Sequence, residues 1–182
     1  RRAKYALSKA QSLIVDALCS ADKAAILGFD PQRIVRFPWG VDLEVFKPDA
    51  AQEQAKALRR KLGWEDALVC LCLRSWEPNY GVDVLANAFV QAAKAEPRLR
   101  LLLLNTGSQA EQILGILERG AVLDKVHLPG RINNLDLPLY YAASDLYLSP
   151  SHVDGSSVSL MEAMAMGLPS IVSDIPANKE WI

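Results

Sequence analysis

Short apolar runs alternate with longer stretches in which apolar residues recur at helical spacing, and the alternation holds over most of the chain. Residues 68–73 form a continuous apolar run, as expected of a strand covered on both faces. Residues 82–95 set Val82, Leu85, Ala86, Phe89, Ala92 and Ala93 on one helical stripe. Residues 99–104 read as a second buried strand. The same reasoning predicts strands at 12–15, 34–37, 126–128, 146–148 and 170–172. It predicts helices over 17–27, 109–118, 137–143 and 158–166, with Gly28, Gly120 and Gly167 at their ends. Asp136 or Asn134 is placed to cap the helix over 137–143, and Gly40 to supply a positive φ in the turn 38–42. Residues 43–52 read as a linker. Strand and helix in alternation predict an α/β fold with a doubly wound parallel sheet over residues 41–182, with residues 1–40 a remnant of a separate unit.

Composition narrows the class. The 182 residues carry 20 Lys and Arg against 21 Asp and Glu, a net charge of −1, which argues against a nucleic-acid partner. A chain that is 51% hydrophobic can bury a core. No apolar run approaches the ~20 residues of a spanning helix, and no charged-then-apolar leader opens the chain. Cys19, Cys70 and Cys72 are odd in number and form no CxxC pair, so neither a disulfide scaffold nor a zinc site is expected. These features point to a soluble protein of a reducing, cytoplasmic compartment, and no cofactor is expected. The chain opens without Met and stops as a further helix begins, and it is read as a piece of a longer protein.

Ligands in open parallel sheets bind beyond the carboxyl ends of the strands, and three features fall there. Arg74 follows the strand 68–73, where a guanidinium can hold a phosphate through two parallel hydrogen bonds or serve as an ordinary surface arginine. The stretch 150–157, with Gly155, Ser156 and Ser157, leads into the helix 158–166; it reads either as a helix start suited to anions or as a generic Gly/Ser loop. Glu162 is the sharpest signal, a carboxylate in a helix otherwise nearly all apolar. Its burial costs on the order of several kcal/mol unless something donates to it: backbone amides, a lysine, or the hydroxyls of a ligand. Asp154 lies eight residues earlier, about 10 Å away along a helical rise. Two carboxylates flanking an anion site match a ligand with hydroxyls at both ends and phosphates between them, the layout of a nucleotide sugar.

The stretch from Asp154 to Glu162, followed by Ala163-Met164-Ala165-Met166-Gly167-Leu168-Pro169, resembles the Glu-x7-Glu motif of the retaining GT-B glycosyltransferases of family 4. Arg74 and the segment 81–89, Asn105-Thr106-Gly107, the segments 126–130 and 136–141, and Pro38-Trp39-Gly40-Val41-Asp42 with Phe46 resemble further family segments in the family's order. The resemblance implies a GT-B half-domain that binds a UDP- or GDP-linked sugar, with 1–40 belonging to an acceptor-side domain and its hinge. It implies that Glu162 accepts from ribose hydroxyls, and that Asp154 holds the donor sugar with the amides of Gly155, Ser156 and Ser157. Arg74 would neutralise the diphosphate, Gly107 would line the nucleotide, and backbone groups around Arg131 and Ile132 would meet the base. The leaving diphosphate would be stabilised by protein donors and helix dipole rather than a metal. The sequence departs from the family at Asp154, where Glu is usual, at Tyr80, where the family has Lys, at Asn105 in place of Gly, and at Trp39 in place of Asn.

A glycosidase would need its carboxylates across an open cleft, a serine hydrolase its G-x-S-x-G elbow, and a dinucleotide enzyme a G-x-G-x-x-G turn. The standing alternative is a nucleotide-sugar-binding or structural GT-B-like domain without turnover. By this reading the 182-residue chain alone is inactive, its acceptor unknown, and membrane contact would come through the part of the protein outside it.

Overall fold

A computed structural model describes residues 2–182. The chain begins with helix α1 (Arg2–Lys9) and a small unit in which β1 (Leu13–Val15) and β2 (Ile34–Arg36) pair in parallel around helix α2 (Leu18–Ile26). A larger unit follows: α3 (Gln52–Leu62), β3 (Leu68–Cys72), α4 (Val82–Ala95), β4 (Leu99–Leu104), α5 (Ala110–Arg119), β5 (Val126–Gly130), α6 (Leu137–Ala142), β6 (Leu146–Ser149), α7 (Val158–Ala165) and β7 (Ser170–Val172). Its five strands are all parallel, in the order β5-β4-β3-β6-β7. The chain winds outward from β3 through β4 to β5, then returns to the other side of β3 with β6, so the winding reverses between β3 and β6.

Successive strand residues point to opposite faces, and here both faces are covered. From β3 and β4, Val69, Leu71, Leu102 and Leu104 pack with Ala55 of α3, Tyr140 and Tyr141 of α6 and Leu160 of α7. Their neighbours Cys70, Cys72, Leu101 and Leu103 pack with Val82, Leu85 and Phe89 of α4 and Ile113 and Leu117 of α5. Each fully buried leucine contributes about 1.5–3 kcal/mol, and the apolar runs of β3 and β4 follow from this double cover.

The predicted strands and helices all form, within a few residues of the expected bounds, and the doubly wound parallel sheet is observed. Helix α3 escaped prediction because its face is mostly polar, with only Ala55, Leu58 and Leu62 turned to the core before Gly63 ends it at φ +66°. The linker is also more ordered than its composition suggests: Asp42 Oδ1 accepts the Glu44 N–H at 2.9 Å, and buried Phe46 meets Tyr141 edge-on at 5.9 Å. Two turn expectations are corrected: Gly40 does not adopt positive φ, and neither Asp136 nor Asn134 makes a side-chain cap on α6. Gly120 caps α5 as expected, in the right-handed region, and Ala121 after it takes φ +53°.

Candidate donor-binding cleft

The reversal of winding opens a crevice at the carboxyl ends of β3, β4 and β6, where open α/β sheets hold ligands. A cleft of about 380 Å³ lies there. β3 delivers Arg74, β4 delivers Asn105, the β6–α7 loop delivers Asp154 and Ser156, and α7 turns Ser159 and Glu162 inward; Ile132 and Leu137 form an apolar wall. Gly81 lets the β3–α4 turn close on the β6 loop. It takes φ +62°, and a Cβ there would overlap the Pro150 carbonyl oxygen, while the His152 N–H donates to Asn79 O at 2.9 Å.

Arg74, its side chain only 10% exposed, pairs with the 14%-exposed Asp154 at 2.5 Å. Its other terminal nitrogen reaches Ser157 Oγ at 3.3 Å and Ser159 Oγ at 3.2 Å, and its guanidinium stacks over the Tyr80 ring at 4.2 Å. Tyr80 therefore serves the arginine as an aromatic platform. The Arg74 Nε is buried without a partner, as is Asn105 Oδ1, while the Asn105 amide donates to Leu73 O at 3.2 Å. Asn105 sits at φ +75°, a left-handed conformation asparagine tolerates better than most residues.

Glu162 is 6% exposed and lines the cleft. Its donor is none of those anticipated. The Tyr141 hydroxyl of α6 donates to Glu162 Oε2 at 2.7 Å and also lies 3.0 Å from Ser159 O. Burial pushes the Glu162 carboxyl above its ordinary value, and the tyrosine bond only partly offsets this. Burial, then the Glu162 charge, push the Tyr141 hydroxyl well up. Tyr147 of β6 completes the network through a 2.7 Å bond with Ser159 Oγ.

The remaining expected residues are placed as follows. Gly155 donates its N–H to Asp154 Oδ1 at 2.9 Å and Ser156 donates to Asp16 Oδ2 at 3.1 Å, whereas the Ser157 amide has no such partner among the described residues. Gly107, Arg131, Gly155 and Ser157 stand outside the residues lining the cleft. Gly107 has a packing reason of its own: a Cβ there would overlap the Trp76 carbonyl oxygen. Asp16, Tyr141, Tyr147 and Ser159 were not foreseen as site residues. A buried acid demands a donor, so a tyrosine-rich α6 was a usable signal for Tyr141; nothing in the sequence signalled Asp16. Among the described residues no group of three His, Cys, Asp or Glu side chains could hold a metal ion, and no helix is long and apolar enough to cross a membrane.

A doubly wound sheet with a carboxylate–guanidinium cleft at its switch point defines a Rossmann-like α/β domain with a ligand-binding crevice. The chain belongs to the family described as glycosyl transferases group 1, whose model matches residues 67–182. It is 34% identical over 156 residues to the mannosylfructose-phosphate synthase of Agrobacterium fabrum, covering 80% of this chain and 34% of that protein. It is 29% identical over 143 residues to the alpha-monoglucosyldiacylglycerol synthase of Streptococcus pneumoniae, covering 76% and 32%. The chain thus spans about a third of the length of the curated relatives it matches. The fold is also that of Anabaena HepE, solved in complex with UDP-glucose, at TM-score 0.85 and 21% identity over 95% of this chain and 47% of that one.

Proposed function

We propose that this chain is the donor-binding part of a retaining glycosyltransferase that moves a sugar from a UDP- or GDP-linked donor to an acceptor held elsewhere in the intact protein. The observation that carries the reading is Glu162, a buried carboxylate that faces the cleft and is stabilised by a single tyrosine hydroxyl. A ligand diol that donates to its second oxygen supplies what the protein leaves undone, and a ribose presents one. Arg74 has the charge for a diphosphate, and its unpartnered Nε supports that role. Asp154, already accepting from Arg74, then serves the sugar hydroxyls together with Gly155, Ser156 and Ser157. The apolar wall at Ile132 suits the base, and Arg131, its neighbour in the chain, and Gly107 are assigned to the nucleotide beside it. Residues 1–40 are assigned to an acceptor-side domain and its hinge, and residues 41–182 to the donor domain. The three free cysteines support a reducing, cytoplasmic setting.

Relatives point the same way: one carries GDP-mannose dependence in its name, and one structural neighbour was solved with UDP-glucose. Calorimetry with UDP, UDP-glucose, GDP and GDP-mannose tests the reading. The expected result is binding of one pair, lost in Glu162→Ala and strongly weakened in Arg74→Ala. Absence of binding by all four ligands overturns it in favour of a structural domain.

A further inference from the structure

The loop that carries Asp154 is fastened to the other unit of the chain. β1 ends at Val15, and the next residue, Asp16, stands in the turn before α2. Its carboxylate accepts the Ser156 N–H at 3.1 Å, and its backbone carbonyl accepts the Ser156 hydroxyl at 2.7 Å. Gly155 is fitted against the same group, because a Cβ there would stand 2.7 Å from Asp16 Oδ2. The φ of Gly155 is not left-handed, so close approach rather than backbone freedom requires the glycine. A second tie fixes the start of α2, two residues beyond Asp16. Glu180, from the far end of the chain, accepts the Leu18 and Cys19 N–H groups at 2.9 and 3.0 Å and pairs with Arg36 at 3.2 Å. It thereby satisfies the first two amides of α2, which have no partner within the helix.

We propose that Asp16 is a positioning residue for the donor sugar. It fixes Gly155 and Ser156 so that Asp154 and the Ser157 amide meet the glycosyl group, without itself serving the nucleotide. This rests on the donor-site reading. A carboxylate one methylene from the backbone is short enough to accept the Ser156 amide, and it fills the space that a side chain at 155 would need. Asparagine presents the same acceptor at the same length.

The test compares UDP with UDP-glucose, and GDP with GDP-mannose, by calorimetry on this chain; the ratio of affinities within the binding pair measures what the sugar adds. Asp16→Ala is expected to weaken the nucleotide sugar about tenfold, the scale of one hydrogen bond, while leaving the bare nucleotide within about twofold. Asp16→Asn keeps the sugar increment. Gly155→Ala loses it by collision with Asp16, and in the Asp16→Ala background the same change does no further harm. Equal weakening of nucleotide and nucleotide sugar by Asp16→Ala, no weakening of either, or an inert Gly155→Ala overturns the inference while the donor reading stands. Should Asp16→Ala unfold, Gly155→Ala and Asp16→Asn decide alone. A wild type that binds none of the four ligands ends both.

Discussion

Tyr141→Phe is the most informative single change, because it removes one hydroxyl and leaves the packing of the ring. In the wild type that hydroxyl donates to Glu162 Oε2 at 2.7 Å within a buried site. A hydrogen bond to a charged group contributes about 1.5–3 kcal/mol, and its loss leaves a buried carboxylate without a protein donor. The tyrosine bond is also what holds the Glu162 carboxyl down against burial, so its removal sends that group further up. A loss of about 2 kcal/mol near neutral pH corresponds to a fall of about 4–8 °C in melting temperature for a chain of this size. At pH 4, below the free value of 4.5, Glu162 is mostly protonated in both folded and unfolded chains, and the variant should approach the wild type. Urea unfolding followed by circular dichroism at pH 4 and pH 7.5 makes the comparison. An equal cost at both pH values, or no cost at either, refutes the account of Glu162 as a charged acid held by Tyr141.

Glu162→Gln addresses the same group from the other side. The folded carboxyl lies above its free value of 4.5, so the stability contribution linked to Glu162 is fully present below that pH and is lost as pH rises through the folded value. The variant has no such dependence, so its stability relative to wild type should climb as pH is raised from 4 to 7.5 in denaturant titrations; a flat difference contradicts the shift. Gly81→Ala forces a left-handed residue into the Pro150 carbonyl and should cost about 1–3 kcal/mol in thermal melts, with weakened nucleotide binding because the β3–α4 turn backs away from the cleft. Leu71→Ala, in the central strand with no exposure, should cost about 2–5 kcal/mol in denaturant unfolding. A cost under about 1 kcal/mol would mean the site can collapse around the smaller side chain.

Legibility in the sequence followed from whether the physics was local. The runs at β3 and β4 were readable because a strand covered on both faces must be apolar at nearly every position. Helix α4 was readable because its stripe is continuous, while α3 was not, since three inward residues on a polar helix carry little periodic signal. Glu162 was conspicuous as an acid among apolar neighbours, yet its donor lies 21 residues earlier on a different helix. Asp16 and Ser156 are separated by 140 residues, and a short aspartate after a short strand resembles any turn residue.

The order of strands and helices, the double cover of the sheet and the presence of a costly buried acid were therefore determined by the chain's own pattern, because apolar spacing and burial cost act residue by residue. Which groups satisfy that acid, the pairing of Arg74 with Asp154 and the clasp of Asp16 on the loop were decided only by tertiary structure. Hydrogen bonds and ion pairs require partners within about 3 Å, and distance in space between remote residues is set by the packing of whole elements.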